Sequence, residues 1–212
     1  MNRRIDWYSV SRRVVPLRMR PTPWLLLLTL GYTMSAQAHI QAGETGGFLN
    51  GLKHPVSGLD HIVAMVSVGL WGAQLGKPAI WALPVTFPLV MAMGGFLELI
   101  GILLPGAEVG IAASAIFLGA AVLFEARLPL PLAAVLVSTF AIFHGYAHGA
   151  ELPPGDSGVL YSLGFIVATG FLHGCGITVG LIHRWPWGQQ LLRLTGGGVL
   201  ATGGVFLWRA LV

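Results

Sequence analysis

Six long apolar stretches dominate this chain and limit it to one kind of fold. They lie at approximately 58–76, 79–104, 109–126, 130–149, 158–182 and 190–211. Each is close to the roughly 20 residues that an α-helix needs to cross the hydrocarbon core of a bilayer. Because lipid offers no hydrogen-bond partner to an unpaired backbone group, such stretches cross membranes as helices. The sequence therefore predicts an all-α, polytopic membrane bundle of about six transmembrane helices.

The composition supports a lipid bilayer as the solvent for most of the chain. Only 9% of the residues are charged, whereas a soluble domain carries about 25%. The net charge of +4 arises largely from arginines that precede the first apolar run. No basic cluster has the form of a nucleic-acid site, and no G-x4-G-K-[ST] loop occurs. We therefore expect neither nucleic acid nor nucleotide as a partner.

The N-terminal residues have the three parts of a secretory signal peptide. A basic region precedes an apolar core of about ten residues, and a small-x-small cleavage site ends at Ala38. We predict a signal peptide at 1–38 and a single transmembrane domain at 39–212. Cleavage would expose the α-amine of His39 beside its imidazole, and this pair could capture a metal ion. An uncleaved first helix is the alternative.

The loop charges predict the orientation of the chain. With the signal removed, the mature N-terminus lies outside, and the inner loops hold Lys77, Arg127, Arg184 and Arg193 against the single acid Glu125. This basic excess follows the positive-inside rule. The sequence thus predicts a bacterial inner-membrane protein with a periplasmic N-terminus.

The first informative polar group lies where the first apolar stretch begins. It contains His54, Asp60 and His61, and polar groups inside a membrane are costly unless they are paired or hydrated. If the segment is one helix, the two histidines lie two turns apart on one face. Pro55 fits the first turn of a helix, which would place His54 at the entrance.

The second polar group lies at the end of the fourth apolar stretch. His144, His148 and Glu151 stand at i, i+4 and i+7, so their side chains share one stripe of a helix. Imidazoles at this spacing can chelate a metal ion, and a carboxylate can complete or orient the site. The predicted topology brings both groups to the outer side of the membrane, and together they predict one metal site.

The available ligands limit the metals that such a site would take. Cys175 is the only cysteine, so a cage of thiolates is excluded. Imidazoles and carboxylates suit Ni, Co, Zn or Cu(II) better than Cu(I). Glu98 and His173, within other apolar stretches, could extend an ion path inward, or each could simply hydrogen-bond a neighbouring helix.

The two polar groups also carry a resemblance to a known family. HPVSGLDHIVAMVSVGLWGAQLG (54–76) and FHGYAHGAE (143–151) resemble the two signatures of the HupE/UreJ hydrogenase and urease accessory permeases. The resemblance implies uptake of Ni2+, or of Co2+ in some members, with the ion as cargo and no prosthetic group. It implies functional roles for His54, Asp60, His61, His144 and Glu151, whereas the prediction for His148 rests mainly on spacing.

Two other functions use the same side chains. An intramembrane metal-dependent hydrolase could use the histidines to activate water, although the sequence lacks an H-E-x-x-H motif. A proton-coupled solute carrier could use them as a proton relay. We expect a permease rather than an enzyme, and the oligomeric state is left open.

Overall fold

The computed structural model describes residues 47–149 and 151–212. The predicted signal peptide and His39 lie outside these residues. The described residues form seven α-helices and one short 3₁₀ helix. The helices are α1 (Gly47–Ser57), α2 (Leu59–Leu75), α3 (Ala79–Leu99), α4 (Ala107–Leu123), α5 (Leu130–Gly149), α6 (Gly158–Gly180) and α7 (Pro186–Leu211), with the 3₁₀ helix at Leu181–Arg184.

Each of the six apolar stretches forms one of the helices α2 to α7, which confirms the all-α membrane bundle. Four spans are long and apolar enough to cross a membrane alone: α3, α5, α7, and α6 continued through the 3₁₀ helix. The 17-residue α4 is shorter, and α2 meets the criterion only together with α1. By length and composition the described residues therefore provide four spans, or five with the bent pair, where the sequence predicts about six.

The prediction of one continuous helix through His54 and His61 is wrong. The chain breaks at Gly58, whose φ of −97° and ψ of 122° are extended, and α1 meets α2 at 81°. Pro55 lies near the end of α1 rather than in a first turn, so His54 is not at a helix entrance. A proline there gives up a backbone donor and clashes with the preceding turn, which favours termination. The hydroxyl of Ser57 donates to the His54 carbonyl.

The helices associate in pairs whose backbones approach closely. Residues 91–95 of α3 lie against 142–149 of α5, residues 66–73 of α2 against 173–180 of α6, and residues 115–123 of α4 against 196–203 of α7. The first two pairs run parallel and the third antiparallel, as the order of the contacts requires. Glycine makes this approach possible where lipid supplies no hydrophobic drive between helices.

Helix α2 lies in the interior of this arrangement and is anchored at its far end. Nearly all of its residues from Ala64 to Gln74 are buried. The indole of Trp71 donates to the carbonyl of Ala126 at 2.9 Å, and the amide of Gln74 donates to that of Val122 at 3.2 Å. The helix that carries His61 is thereby held against the end of α4.

Substitution at one paired glycine should separate packing from intrinsic helix effects. In Gly94→Ala the new methyl would meet the carbonyl oxygen of Ile142, whereas in Gly174→Ala it would meet no atom within 4 Å. Overpacking of this kind costs about 1–3 kcal/mol. We expect thermal unfolding in detergent to show a lower midpoint for Gly94→Ala and an unchanged or higher one for Gly174→Ala. Equal midpoints would contradict the close α3–α5 packing.

Candidate metal centre

Histidines from distant parts of the chain converge at one end of the bundle. His54 comes from α1, His61 from the start of α2, and His144 and His148 from the last turns of α5. The break at Gly58 lets His54 and His61 reach opposite nitrogens of His148, and the loop after α5 adds Glu151. Rings of His148 and His54 lie 4.7 Å apart, and those of His148 and His61 lie 4.5 Å apart. His148 is therefore the centre of the cluster.

Three ligand atoms form a small triangle at the outer part of this cluster, which we call the mouth group: His54, His148 and Glu151. His54 Nε2 lies 2.7 Å from His148 Nδ1 and 2.8 Å from Glu151 Oε2, and His148 Nδ1 lies 3.0 Å from Glu151 Oε2. Ligand atoms bonded to one ion at about 2.0–2.1 Å stand about 3 Å apart on an octahedral face. The triangle has the size of such a face.

A second set of ligands, which we call the buried group, comprises His61, His144 and His148. One ligand atom from each lies within 4.8 Å of the others. His148 Nε2 is 2.8 Å from His61 Nδ1, and the rings of His61 and His144 lie 5.5 Å apart. His148 thus offers Nδ1 to the mouth group and Nε2 to the buried group.

Ser114 determines which nitrogen of His144 is free to bind an ion. The Ser114 hydroxyl lies 2.6 Å from the carbonyl oxygen of Ile111. Because a carbonyl oxygen can only accept, the hydroxyl donates its single proton to it. Its contact of 2.9 Å with His144 Nε2 must therefore be a bond that His144 donates. The lone pair then lies on Nδ1, which is buried and has no hydrogen-bond partner in the described part of the chain. A ligand histidine typically donates its other N–H in this way.

Exposure decreases in steps from the mouth group to the buried group. The side chains of Glu151, His148 and His54 are 51%, 16% and 5% exposed, whereas His61 and His144 retain only 1%. The ring of Phe165 contacts three of the imidazoles, with centroid distances of 4.9 Å to His148 and 5.2 Å to His61. An ion entering at Glu151 would therefore exchange water for nitrogen ligands as it advances.

The carboxylate at the mouth remains ionised over the physiological pH range. Hydrogen bonds from His148 and His54 lower the pKa of the Glu151 carboxyl from 4.5 to about 2, against the opposing effect of partial burial. A lowered carboxyl pKa contributes stability that is present above the ordinary value and is lost as pH falls toward the folded value. For Glu151 that loss falls between pH 4.5 and about 2, well below neutral pH.

Three other predicted site residues lie beside the cluster rather than in a ligand group. Asp60, in the first turn of α2, belongs to neither the mouth group nor the buried group. It is close enough for its charge to act on His148. Glu98, near the end of α3, lies with its Cβ against Gly149 at the end of α5. His173 is buried further along α6 and contacts Phe87.

Sequence reasoning missed two residues that shape the site. Ser114 is a hydroxyl within the apolar run of α4, and its polarity there is a signal that could have identified it. Phe165 gave no such signal, because an aromatic residue in an apolar helix is ordinary. Its packing against three imidazoles follows only from the helix arrangement.

A groove of about 610 Å³ between α3, α5 and α6 also reaches the cluster. The residues that line it include Pro88, Gly145, His148, Tyr161 and Phe165, and its lining is mostly apolar. Such a lining solvates an ion poorly. Among the described residues, the half-exposed carboxylate of Glu151 instead gives His148 a polar contact that reaches solvent.

The chain is similar in sequence to proteins of a known family. Residues 26–207 match the HupE / UreJ protein family. The chain is similar to Protein HupE of Rhizobium leguminosarum bv. viciae, with 43% identity over 181 residues that cover 85% of this chain and 94% of the relative. No solved structure matches the chain.

Glu151→Gln tests the mouth group, because it removes the charge and retains the size of the side chain. We expect it to weaken Co2+ binding to the purified protein by about tenfold or more at pH 7. The control is Asp156→Asn, whose carboxylate accepts from Asn50 instead. An unchanged affinity in Glu151→Gln would remove Glu151 from the ligand set.

Proposed function

The chain belongs to the HupE/UreJ family, and from that premise we propose that it is a permease that carries Ni2+ or Co2+ across the bacterial inner membrane. The family handles nickel for hydrogenase and urease, and the bundle is a multi-pass membrane protein. The observation that carries the proposal is the sharing of His148 between the mouth group and the buried group.

The ligand chemistry favours a borderline transition metal as cargo. The mouth group offers two imidazole nitrogens and one carboxylate oxygen, and the buried group offers imidazole nitrogens alone. Such donors suit Ni2+, Co2+ or Zn2+, whereas Mg2+ and Ca2+ prefer a shell of oxygens. The choice of Ni2+ or Co2+ over Zn2+ rests on the family and not on the geometry.

The shared imidazole provides a means of moving the ion. A neutral imidazole has one N–H and one lone pair, so His148 can ligate an ion through only one nitrogen at a time. For an ion bound at Glu151, His54 and Nδ1 of His148 to pass to His61 and His144, Nε2 must lose its proton and Nδ1 must gain one, so movement of the ion is coupled to a change of tautomer at His148. Transfer between overlapping ligand sets avoids a fully uncoordinated ion in the low-dielectric interior.

The direction of movement follows from the same arrangement. With the predicted periplasmic N-terminus, the mouth group faces the periplasm, and the half-exposed carboxylate of Glu151 attracts cations from solution. The buried group lies deeper and lacks a carboxylate, so it holds the ion less strongly. This difference suits capture outside followed by passage inward.

Replacement of the shared histidine should have the largest effect on transport. In His148→Ala both ligand groups lose a member, and we expect uptake of Ni2+ and Co2+ by cells expressing the protein to fall to background. The control is His183→Ala, because His183 lies after α6, outside both ligand groups, and its Nδ1 contacts the Gly180 carbonyl. Both variants should insert into the membrane at wild-type levels. Near-normal uptake by His148→Ala would contradict the proposal, and competition with excess Zn2+ and Mn2+ would establish the selectivity.

A further inference from the structure

We infer that His173 forms, with His61 and Thr169, a second ion-binding station deeper in the bundle, which receives the ion from the buried group. This inference rests on the proposed transport function and extends its path inward. The cargo is the same class of ion, a borderline divalent transition metal that has lost most of its water.

The tautomer of His173 is set by the backbone. Its Nδ1 lies 2.8 Å from the carbonyl oxygen of Met65, which can only accept, so Nδ1 carries the proton. The lone pair is then on Nε2. His173 is 1% exposed, and Nε2 has no hydrogen-bond partner among the described residues. A buried acceptor without a partner is costly, and a metal ion would satisfy it.

The depth of His173 follows from its partner on α2. Met65 is four residues beyond His61, which is one helical turn and a rise of about 6 Å. His61 faces His148 through Nδ1, while its own Nε2 is buried and has no partner among the described residues. The ring of Phe87 contacts both His173 and His144 of the buried group, with centroid distances of 5.7 Å and 5.6 Å. His61 can therefore present one nitrogen to the buried group and the other to the deeper station.

Thr169 would supply the oxygen ligand of this station. It stands one turn before His173 and one turn after Phe165, whose ring contacts His61. Threonine in a membrane helix commonly bonds the carbonyl one turn earlier, as Thr178 does with Gly174. The Thr169 hydroxyl is instead fully buried and has no partner in the described chain. Phe165, Thr169 and His173 thus form one stripe along α6.

Close packing fixes the spacing of the station. A Cβ on Gly69 would meet the carbonyl oxygen of His173, and one on Gly176 would meet that of Val66. The helices that carry His61 and His173 therefore cannot separate freely. Because this station has only neutral ligands, it should bind the ion more weakly than the mouth group, which suits transit rather than storage.

The test compares binding with transport in one preparation. His173→Asn places an amide N–H where Nδ1 stood, so it can keep the bond to Met65 while it loses the Nε2 lone pair. Wild type, His173→Asn and the control His183→Asn are purified and reconstituted into phospholipid vesicles that contain a fluorescent metal chelator. Co2+ affinity is measured in detergent by titration, and Co2+ entry is measured as the initial rate of the chelator signal.

We expect His173→Asn to bind Co2+ within about threefold of the wild-type affinity and to transport it at least about tenfold more slowly. His183→Asn should match wild type in both measurements. Transport by His173→Asn at the wild-type rate would overturn the station. Equal loss of binding and transport would also overturn it, because His173 would then belong to the first site. Wild-type vesicles that take up no Co2+ would instead refute the proposed function.

Thr169→Val provides a second variant if His173→Asn fails to insert. Valine has a similar shape and removes only the hydroxyl, so the helix packing is retained. We expect an initial rate of Co2+ entry at least about threefold below wild type with unchanged affinity in detergent. An unchanged rate of entry would overturn the assignment of Thr169 to the station.

Discussion

Four buried imidazoles, those of His54, His61, His144 and His173, each keep one ring nitrogen without a hydrogen-bond partner among the described residues, and the proposed ion path depends on this constraint. His144 and His173 donate their N–H groups to Ser114 and to the Met65 carbonyl, so each keeps one lone pair directed into the protein. His54 and His61 each lie within hydrogen-bond distance of His148. Neutral nitrogen ligands are thereby collected in an interior from which water is excluded, where a metal ion is a strong partner.

The helix packing positions these histidines. The break at Gly58 turns α1 by 81° from α2, so two histidines seven residues apart reach opposite nitrogens of His148. Close pairing of α3 with α5 holds the helix that carries His144 and His148, and close pairing of α2 with α6 holds His61 beside Phe165. The glycines that permit these approaches are therefore as necessary to the site as the ligands themselves.

The positions of the helices and the grouping of His144 with His148 could be predicted from sequence, because both depend on local chemistry. Apolar length identified the helices, and the i, i+4 spacing of His144 and His148 placed two imidazoles on one stripe. The position of Gly58 was harder, since Pro55 and Gly58 allow either a helix start or a break, and only packing of α1 and α2 against α6 decides between them. The role of Ser114 depends on contacts between residues 30 positions apart, which no local pattern contains.

Helix packing also decides which of the predicted site residues lie together. Three helix ends meet and bring together His54, His61, His144, His148 and Glu151, whereas their role as ligands stays a prediction. Asp60 was grouped with His61 by adjacency, but neighbours on a helix point about 100° apart. Its carboxylate accordingly lies outside both ligand groups and acts on His148 through its charge.

X-ray absorption at the nickel K-edge of the purified protein loaded with one equivalent of Ni2+ tests the central claim most directly. Ligation by the shared-histidine cluster predicts a first shell of nitrogen and oxygen at about 2.0–2.1 Å. It also predicts the outer-shell scattering of at least two imidazoles, and a smaller imidazole contribution in His148→Ala. A shell of oxygen alone, a sulfur ligand, or a spectrum unchanged in His148→Ala would contradict the account.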